Sequence, residues 1–123
     1  MAKLIIAFIR PERLEAVKKE LEAIGVYPMT VVEVRGRGTQ RGITVMYRGH
    51  PVTIDLIPKL QLEIVVDDEK LEDVIRAIAK GAYTGRPGDG RIIVVPVERN
   101  IKIREYYEKS LAPAAGGEEA KTA

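Results

Sequence analysis

Glycines and arginines concentrate in two short segments whose chemistry suits an anion. The first runs from Gly36 to Gly42 (GRGTQRG) and the second from Thr84 to Arg91 (TGRPGDGR). Glycine lets backbone N–H groups come close to an anion, and arginine adds charge-assisted hydrogen bonds to a phosphate or carboxylate. Neither segment has the spacing of the dinucleotide-binding fingerprint or the Walker loop. Each segment alone therefore predicts either an anion-binding loop or an ordinary solvated turn.

The stretch between Gly36 and about Pro58 is unusual, because it has no strong periodicity in a short chain. Segments of this length inside compact domains are usually functional or disordered. Arg41, Tyr47 and Arg48 give it a cationic and aromatic tip that suits contact with a partner. The alternative is a floppy hairpin without a role, and the sequence by itself favours neither.

The composition of the 123-residue chain excludes several kinds of chemistry. With no cysteine and a single histidine, His50, we expect no disulfide, cysteine-bound zinc, thiol catalysis or Ser-His-Asp hydrolysis. The net charge is only +2, from 20 basic and 18 acidic residues, which argues against a bulk polyanion binder. Because there is one phenylalanine and no tryptophan, we expect no nucleic-acid partner. No pair of nucleophile and base stands out, so we expect a protein that is not an enzyme.

Length and hydropathy indicate one domain without a membrane segment. No apolar run approaches the roughly 20 residues that span a bilayer, and no signal-peptide pattern opens the chain. We therefore expect a cytoplasmic protein. Asparagine and serine occur once each, and Gln40 and Gln61 are the only glutamines, whereas charged residues are plentiful. This balance is typical of proteins from thermophiles.

The first half of the chain predicts a strand, a helix and a second strand. Leu4–Ile9 is a short apolar run typical of a buried strand. Pro11 suits the first turn of a helix whose apolar residues recur at helical spacing, and Gly25 predicts its end. Thr30–Val34 is rich in β-branched residues and predicts the second strand.

The second half repeats this order. Alternating apolar residues from Leu60 to Val66 predict a strand with one buried face, and Asp67 or Asp68 can cap the helix that follows. The segment 81–90 predicts a loop, and Ile92–Val97 predicts a fourth strand. Pro96 inside it favours an edge or bulge position. A further short strand is predicted around residues 101–103.

The predicted order βαββαβ is the split βαβ arrangement of the ferredoxin-like fold, an α+β class with helices on one face of a sheet. Valine and isoleucine on both faces of the strands require a cover for the other face, and self-association into a symmetric ring would supply it. We expect one domain over residues 1–111. The tail, residues 112–123, is small and polar, and we expect it to be disordered.

Several motifs in the same order and at the same separations resemble the PII nitrogen-regulatory signal-transduction proteins of the GlnB/GlnK type. The resemblance covers roughly residues 3–104. The matching pieces are Met29-Thr30-Val31, Glu33-Val34, Gly36 to Gly42, Tyr47-Arg48-Gly49, Asp55, Pro58-Lys59, Ala82-Tyr83-Thr84-Gly85 to Gly90 and Ile101 to Arg104.

This resemblance implies a homotrimer of ferredoxin-like subunits that holds ATP or ADP in the clefts between them. The cleft would be built from the base of a long loop, the T-loop at about residues 37–57, from the B-loop, Thr84–Arg91, and from the neighbour's C-terminal segment. The positions that match nucleotide contacts are Thr30, Gly36, Gly38, Glu63, Val65, Thr84, Gly88, Asp89, Gly90, Arg91, Lys102 and Arg104.

The resemblance also implies binding of Mg²⁺ and 2-oxoglutarate beside the nucleotide. Gln40 matches the residue that helps coordinate Mg²⁺ together with ATP and 2-oxoglutarate. Lys59 matches the lysine that pairs with a 2-oxoglutarate carboxylate, and the backbone of Arg41 and Gly42 would contribute donors.

At the tip of the T-loop, Arg48 matches the arginine that plugs an ammonium-transporter channel in the GlnK type, and Tyr47 stands next to it. The resemblance thus implies an ammonium transporter, or another nitrogen-metabolism protein, as partner, and recruitment to the membrane by that transporter. A PII-like or nitrogenase-associated regulator with a different partner enzyme is the alternative. Val52 and His50 replace the residues that other members modify covalently, so control by ligands alone is expected.

Three departures from the usual pattern concern the nucleotide contacts. Arg37 stands where an apolar residue is usual, and Thr39 replaces an arginine. Lys102 also replaces an arginine, which keeps the charge but loses bidentate geometry.

Overall fold

A computed structural model describes residues 1–37, 43–54 and 56–113 of the chain. Its strands are β1 (Ala2–Ile9), β2 (Thr30–Gly36), β3 (Ile43–Tyr47), β4 (His50–Ile54), β5 (Ile57–Asp67) and β6 (Arg91–Val97). Its α-helices are α1 (Leu14–Ala23), α2 (Asp68–Ala82) and α3 (Ile103–Ser110), and a 3₁₀ turn covers Pro11–Arg13.

Four strands form one sheet in the order β2-β5-β1-β6, and every neighbouring pair is antiparallel. β3 and β4 form a separate two-stranded hairpin inside the segment between β2 and β5. Without this hairpin and the C-terminal helix α3, the order of the strands and α-helices is βαββαβ, which confirms the predicted α+β, ferredoxin-like fold. β6 lies at an edge, as its proline predicted.

The core lies between one face of the sheet and the two long helices. Alternate side chains of β1 and β5 point to this face, where Ile5, Ile9 and Leu62 are buried. Val17 of α1 and Val74 of α2 are buried against them. The period-2 pattern of the strands and the helical spacing of the apolar residues therefore meet in one core, as expected.

The other face of the sheet is apolar but uncovered in the single chain. Val32 of β2, Val65 of β5, and Ile93 and Val95 of β6 lie on this open face and are about two-fifths exposed. The register places Leu4 and Ile6 of β1 between them. Burying such side chains against another surface is favourable at roughly 25 cal/mol per Å² of apolar area, so this face suits association.

Two boundary predictions are wrong. Residues 101–103 do not form a strand; Ile103 is instead the first residue of helix α3, and its side chain is 87 % exposed. Two alternating apolar residues are too weak a signal, and Glu105 near the start and Lys109 near the end favour a helix through its dipole. Gly81 belongs to α2, so the loop that was expected to begin there begins at Tyr83. Of the predicted tail, residues 114–123 lie outside the described part.

Gly81 lies at a close contact between the two helices. A Cβ atom at this position would lie 2.6 Å from the Cα of Val17 in α1. Only glycine permits the helices to pack at this separation.

We expect Gly81→Ala to lower the free energy of unfolding by about 1–3 kcal/mol, because the added methyl group forces α1 and α2 apart. Urea denaturation followed by circular dichroism would measure this change. Gly36→Ala is the matched control, since a Cβ there would meet nothing within 4 Å. Equal effects of the two substitutions on stability would contradict the steric explanation.

Candidate functional site

One end of the sheet gathers the chain segments that the sequence marked for anion binding. The register pairs Gly36 at the end of β2 with Ile57 at the start of β5. It also pairs Phe8 near the end of β1 with Arg91 at the start of β6. Because neighbouring strands are antiparallel, the B-loop and both roots of the T-loop come to this same end.

The Asp89 carboxylate organises the B-loop. It accepts hydrogen bonds from the backbone N–H groups of Thr84 (2.9 Å) and Gly85 (3.2 Å) and from the Thr84 hydroxyl. The Nε of Arg10 donates a further bond to it over 3.2 Å. These hydrogen bonds, above all those from Thr84, hold the pKa of Asp89 well below its ordinary value. Asp89 therefore remains ionised and closes the loop on itself.

Two glycines of the B-loop are required by its geometry. Gly88 and Gly90 have φ angles of 96° and 112°, a backbone conformation that residues with a side chain rarely adopt. A Cβ on Gly90 would lie 1.7 Å from the carbonyl oxygen of Phe8. The loop thus lies directly against the end of β1.

Lys59 joins the root of the T-loop to the B-loop. Its Nζ donates a hydrogen bond to the carbonyl oxygen of Gly88 at 2.5 Å. Burial, and then the nearby Arg10 guanidinium, lowers the pKa of Lys59, whereas Glu12 and Asp89 act in the opposite direction. The structure thus brings together Gly88, which matches a nucleotide contact, and Lys59, which matches a 2-oxoglutarate contact.

A second group of predicted residues lies further along the open face. Thr30 of β2 pairs with Glu63 of β5, whose carboxylate accepts a 2.8 Å hydrogen bond from the Gln61 side chain. Val65 follows on the same face, six residues from Lys59, or about 20 Å along an extended strand. One chain therefore carries two separated groups of predicted contacts.

The remaining predicted site residues lie in the C-terminal segment and in the T-loop. Lys102 and Arg104 are exposed at the start of α3. Gly38, Gln40, Arg41 and Gly42 lie outside the described residues, so their roles toward Mg²⁺ and 2-oxoglutarate stay predictions.

The tip of the T-loop hairpin is a tight two-residue turn. Arg48 and Gly49 both have positive φ angles, of 51° and 81°, and they connect Tyr47 to its partner His50. This is the turn that matches the twist of paired strands. The guanidinium carbon of Arg48 lies 5.4 Å from the centre of the Tyr47 ring, a cation–π contact, and Tyr47 is 61 % exposed. The tip thus presents an aromatic ring with a cation on it.

The sequence-based list of site residues omits Arg10. Its Nη2 donates to the carbonyl oxygen of Pro87 at 2.5 Å, besides the bond from its Nε to Asp89. The signal that could have found it is a charged residue directly after a buried strand, at the end of the sheet where glycine loops meet.

The fold and this end of the sheet define a ferredoxin-like protein with a glycine-rich, cation-lined loop. The family profile described as "Nitrogen regulatory protein P-II" matches residues 2–107. The chain belongs to this family of nitrogen regulatory proteins.

Named relatives share most of their length with this chain. It is 54 % identical over 102 residues to nitrogen regulatory protein P-II 2 of Methanothermobacter thermautotrophicus, covering 83 % of this chain and 89 % of that protein. It is 48 % identical over 106 residues to nitrogen regulatory protein P-II of Pasteurella multocida, covering 86 % and 95 %. It is 40 % identical over 102 residues to nitrogen regulatory protein GlnK of Escherichia coli, covering 83 % and 91 %. These relatives are all named as regulatory proteins.

Within residues 1–37, 43–54 and 56–113, no helix has the length and apolar character needed to cross a membrane.

We expect Asp89→Asn to lower the melting temperature at neutral pH, because an amide cannot accept all the hydrogen bonds that the carboxylate accepts. The folded pKa of Asp89 lies below its unfolded value of 3.8, so its contribution to stability is present above about pH 4 and lost as the pH falls through the folded pKa. The difference in melting temperature between wild type and variant should therefore shrink between about pH 4 and pH 2.

Thermal denaturation followed by circular dichroism from pH 7 to pH 2 would measure this difference. Asp73→Asn is the control, since Asp73 lies in an exposed pair with Arg76 at 3.2 Å and should change the melting temperature little. If the difference in melting temperature between wild type and Asp89→Asn stayed constant with pH, the negative charge of Asp89 would not have the role assigned to it.

Proposed function

We propose that the protein is a trimeric, non-enzymatic sensor of ATP or ADP and 2-oxoglutarate that regulates nitrogen metabolism through its T-loop. The observation that carries this proposal is the hydrogen bond from Lys59 to Gly88, because it unites the T-loop root with the B-loop in one cationic site. Membership of the P-II family, and relatives named as nitrogen regulatory proteins, support the same role.

The residues at this end of the sheet fit a polyanion. Lys59 and Arg91 supply positive charge, and glycines in the B-loop let backbone N–H groups come close to an anion. ATP with Mg²⁺ and 2-oxoglutarate would supply the matching negative charge. Gln40 is the residue proposed to reach the metal ion, and the backbone of Arg41 and Gly42 is proposed to donate to 2-oxoglutarate.

A homotrimer accounts for both the open face and the separated groups of site residues. The apolar open face extends along β5 from the B-loop end to the end that carries Glu63 and Val65. A neighbouring copy that covers this face could bring its own Thr30, Glu63 and Val65 to the B-loop of the first. The cleft would then be completed by Lys102 and Arg104 of the C-terminal segment.

Lys59 is placed to report on the ligand, because it lies in β5 just after the T-loop. A ligand carboxylate that pairs with Lys59 competes with the Gly88 carbonyl for the same donor. Occupation of the site thus changes the contacts at one root of the T-loop. A ligand that prefers one T-loop conformation shifts the population toward it.

The exposed tip of the hairpin is the proposed partner contact. Tyr47 and Arg48 form an aromatic and cationic projection, which suits a channel mouth or an acidic pocket. An ammonium transporter that recruits the cytoplasmic trimer to the membrane is the proposed partner. Another nitrogen-metabolism protein, as in a PII-like or nitrogenase-associated regulator, is the alternative.

We expect 2-oxoglutarate to bind only when MgATP is present, and Lys59→Ala to weaken its binding by about tenfold or more, since a charge-assisted pair is lost. Isothermal titration calorimetry at saturating MgATP would measure both dissociation constants.

Lys80→Ala removes an exposed lysine whose Nζ lies 3.5 Å from a carboxylate oxygen of Glu20 in α1, and this variant should bind 2-oxoglutarate like wild type. The absence of 2-oxoglutarate binding to wild type at saturating MgATP would overturn the sensing role. Unchanged affinity of Lys59→Ala for 2-oxoglutarate would overturn only the role of Lys59 and leave the sensing role intact.

We expect a purified ammonium transporter to retain the wild-type protein, and retention to be lost in Arg48→Asn because the cation at the tip is removed. Asparagine tolerates the left-handed backbone that residue 48 adopts, so the turn is kept. Arg48→Lys, which keeps the charge, is the control. Retention of Arg48→Asn at the wild-type level would contradict the contact, and failure to retain wild type would favour a different partner.

A further inference from the structure

We propose that Arg10 is a positioning residue of the nucleotide site: it acts on the B-loop through the Asp89 carboxylate and the Pro87 carbonyl, not by contact with the nucleotide. This inference rests on the proposed nucleotide binding and adds to it the group that shapes the loop before any ligand arrives.

The backbone of Arg10 is fixed by its two neighbours in the chain. Arg10 directly follows Ile9, which is 1 % exposed, and precedes Pro11 at the start of the 3₁₀ turn. A following proline restricts residue 10 to extended backbone, and its ψ angle is 139°. The guanidinium thus provides a fixed point against which the B-loop can be set.

The guanidinium uses two of its donors on two different parts of the loop. Nε reaches Asp89 Oδ1 at 3.2 Å, and Nη2 reaches the Pro87 carbonyl oxygen at 2.5 Å. Both side chains of the pair are mostly shielded from water, with 20 % exposure for Arg10 and 24 % for Asp89. A lysine has one compact donor group and cannot reproduce this fork.

These bonds set the direction of the loop's peptide units. The Pro87 carbonyl points toward Arg10 and the Gly88 carbonyl toward Lys59. The described residues contain no cis peptide bond, so the N–H of each of these two peptide units points away from the cations. Arg10 and Lys59 therefore turn the N–H groups of Gly88 and Asp89 to the opposite side of the loop, where a phosphate can accept from them.

Calorimetric titration with ADP alone tests this role, since omission of 2-oxoglutarate removes any contact of Arg10 with that ligand. We expect Arg10→Gln to weaken ADP binding by about tenfold, and Arg10→Lys to weaken it less, because the charge is kept and one donor is lost. Arg13→Gln is the matched control: Arg13 donates to the Gly81 carbonyl at 2.8 Å, outside the loop. Its ADP affinity should stay within about twofold of wild type, even where its melting temperature falls.

A double-mutant cycle with Asp89→Asn separates positioning from direct contact. If Arg10 acts through Asp89, the double variant should lose much less ADP affinity than the product of the two single losses. Independent, multiplicative losses would overturn the inference and indicate direct contact with the nucleotide. Wild-type affinity in Arg10→Gln would also overturn it while leaving the proposed function intact. Failure of wild type to bind ADP would overturn both.

Discussion

The hydrogen bonds that the ionised Asp89 carboxylate accepts are the interaction on which the rest of the site depends. The Asp89 carboxylate, near the end of the B-loop, accepts hydrogen bonds from Thr84 and Gly85 at its start and from Arg10 after β1, so a glycine-rich segment acquires one shape. Glycine makes such a segment conformationally permissive, and ordering it costs more entropy than ordering other residues. The carboxylate offsets this cost with several charge-assisted bonds, and the ordered loop in turn places the Gly88 carbonyl within reach of Lys59.

The antiparallel sheet explains why distant parts of the sequence meet here. β1 ends, β2 ends, β5 begins and β6 begins at the same end of the sheet. The same strands leave an apolar open face, along which the predicted contacts Thr30, Glu63 and Val65 lie. Cover for this face and completion of the site would therefore both be supplied by the proposed trimer.

Much of the fold could be predicted from the sequence, because its signals are local. The alternation from Leu60 to Val66 is set by the two-residue period of a strand, and Gly25, with a φ angle of 78°, follows α1 as a helix end requires. Prediction failed at residues 101–103 and at Gly81, where the decisive facts are nonlocal. A strand needs a neighbour to pair with, and Gly81 lies where α2 packs closely against Val17 of α1.

The sequence by itself determined the α+β class, the βαββαβ order of the main elements and the concentration of glycine and cations in two loops, since composition and periodicity encode these directly. Family membership also follows from motif order along the chain. Only the tertiary structure decided that Arg10 is joined to Asp89 and Lys59 to Gly88, because these pairs lie 79 and 29 residues apart. Contacts of such separation depend on strand register and loop geometry, which no local pattern specifies.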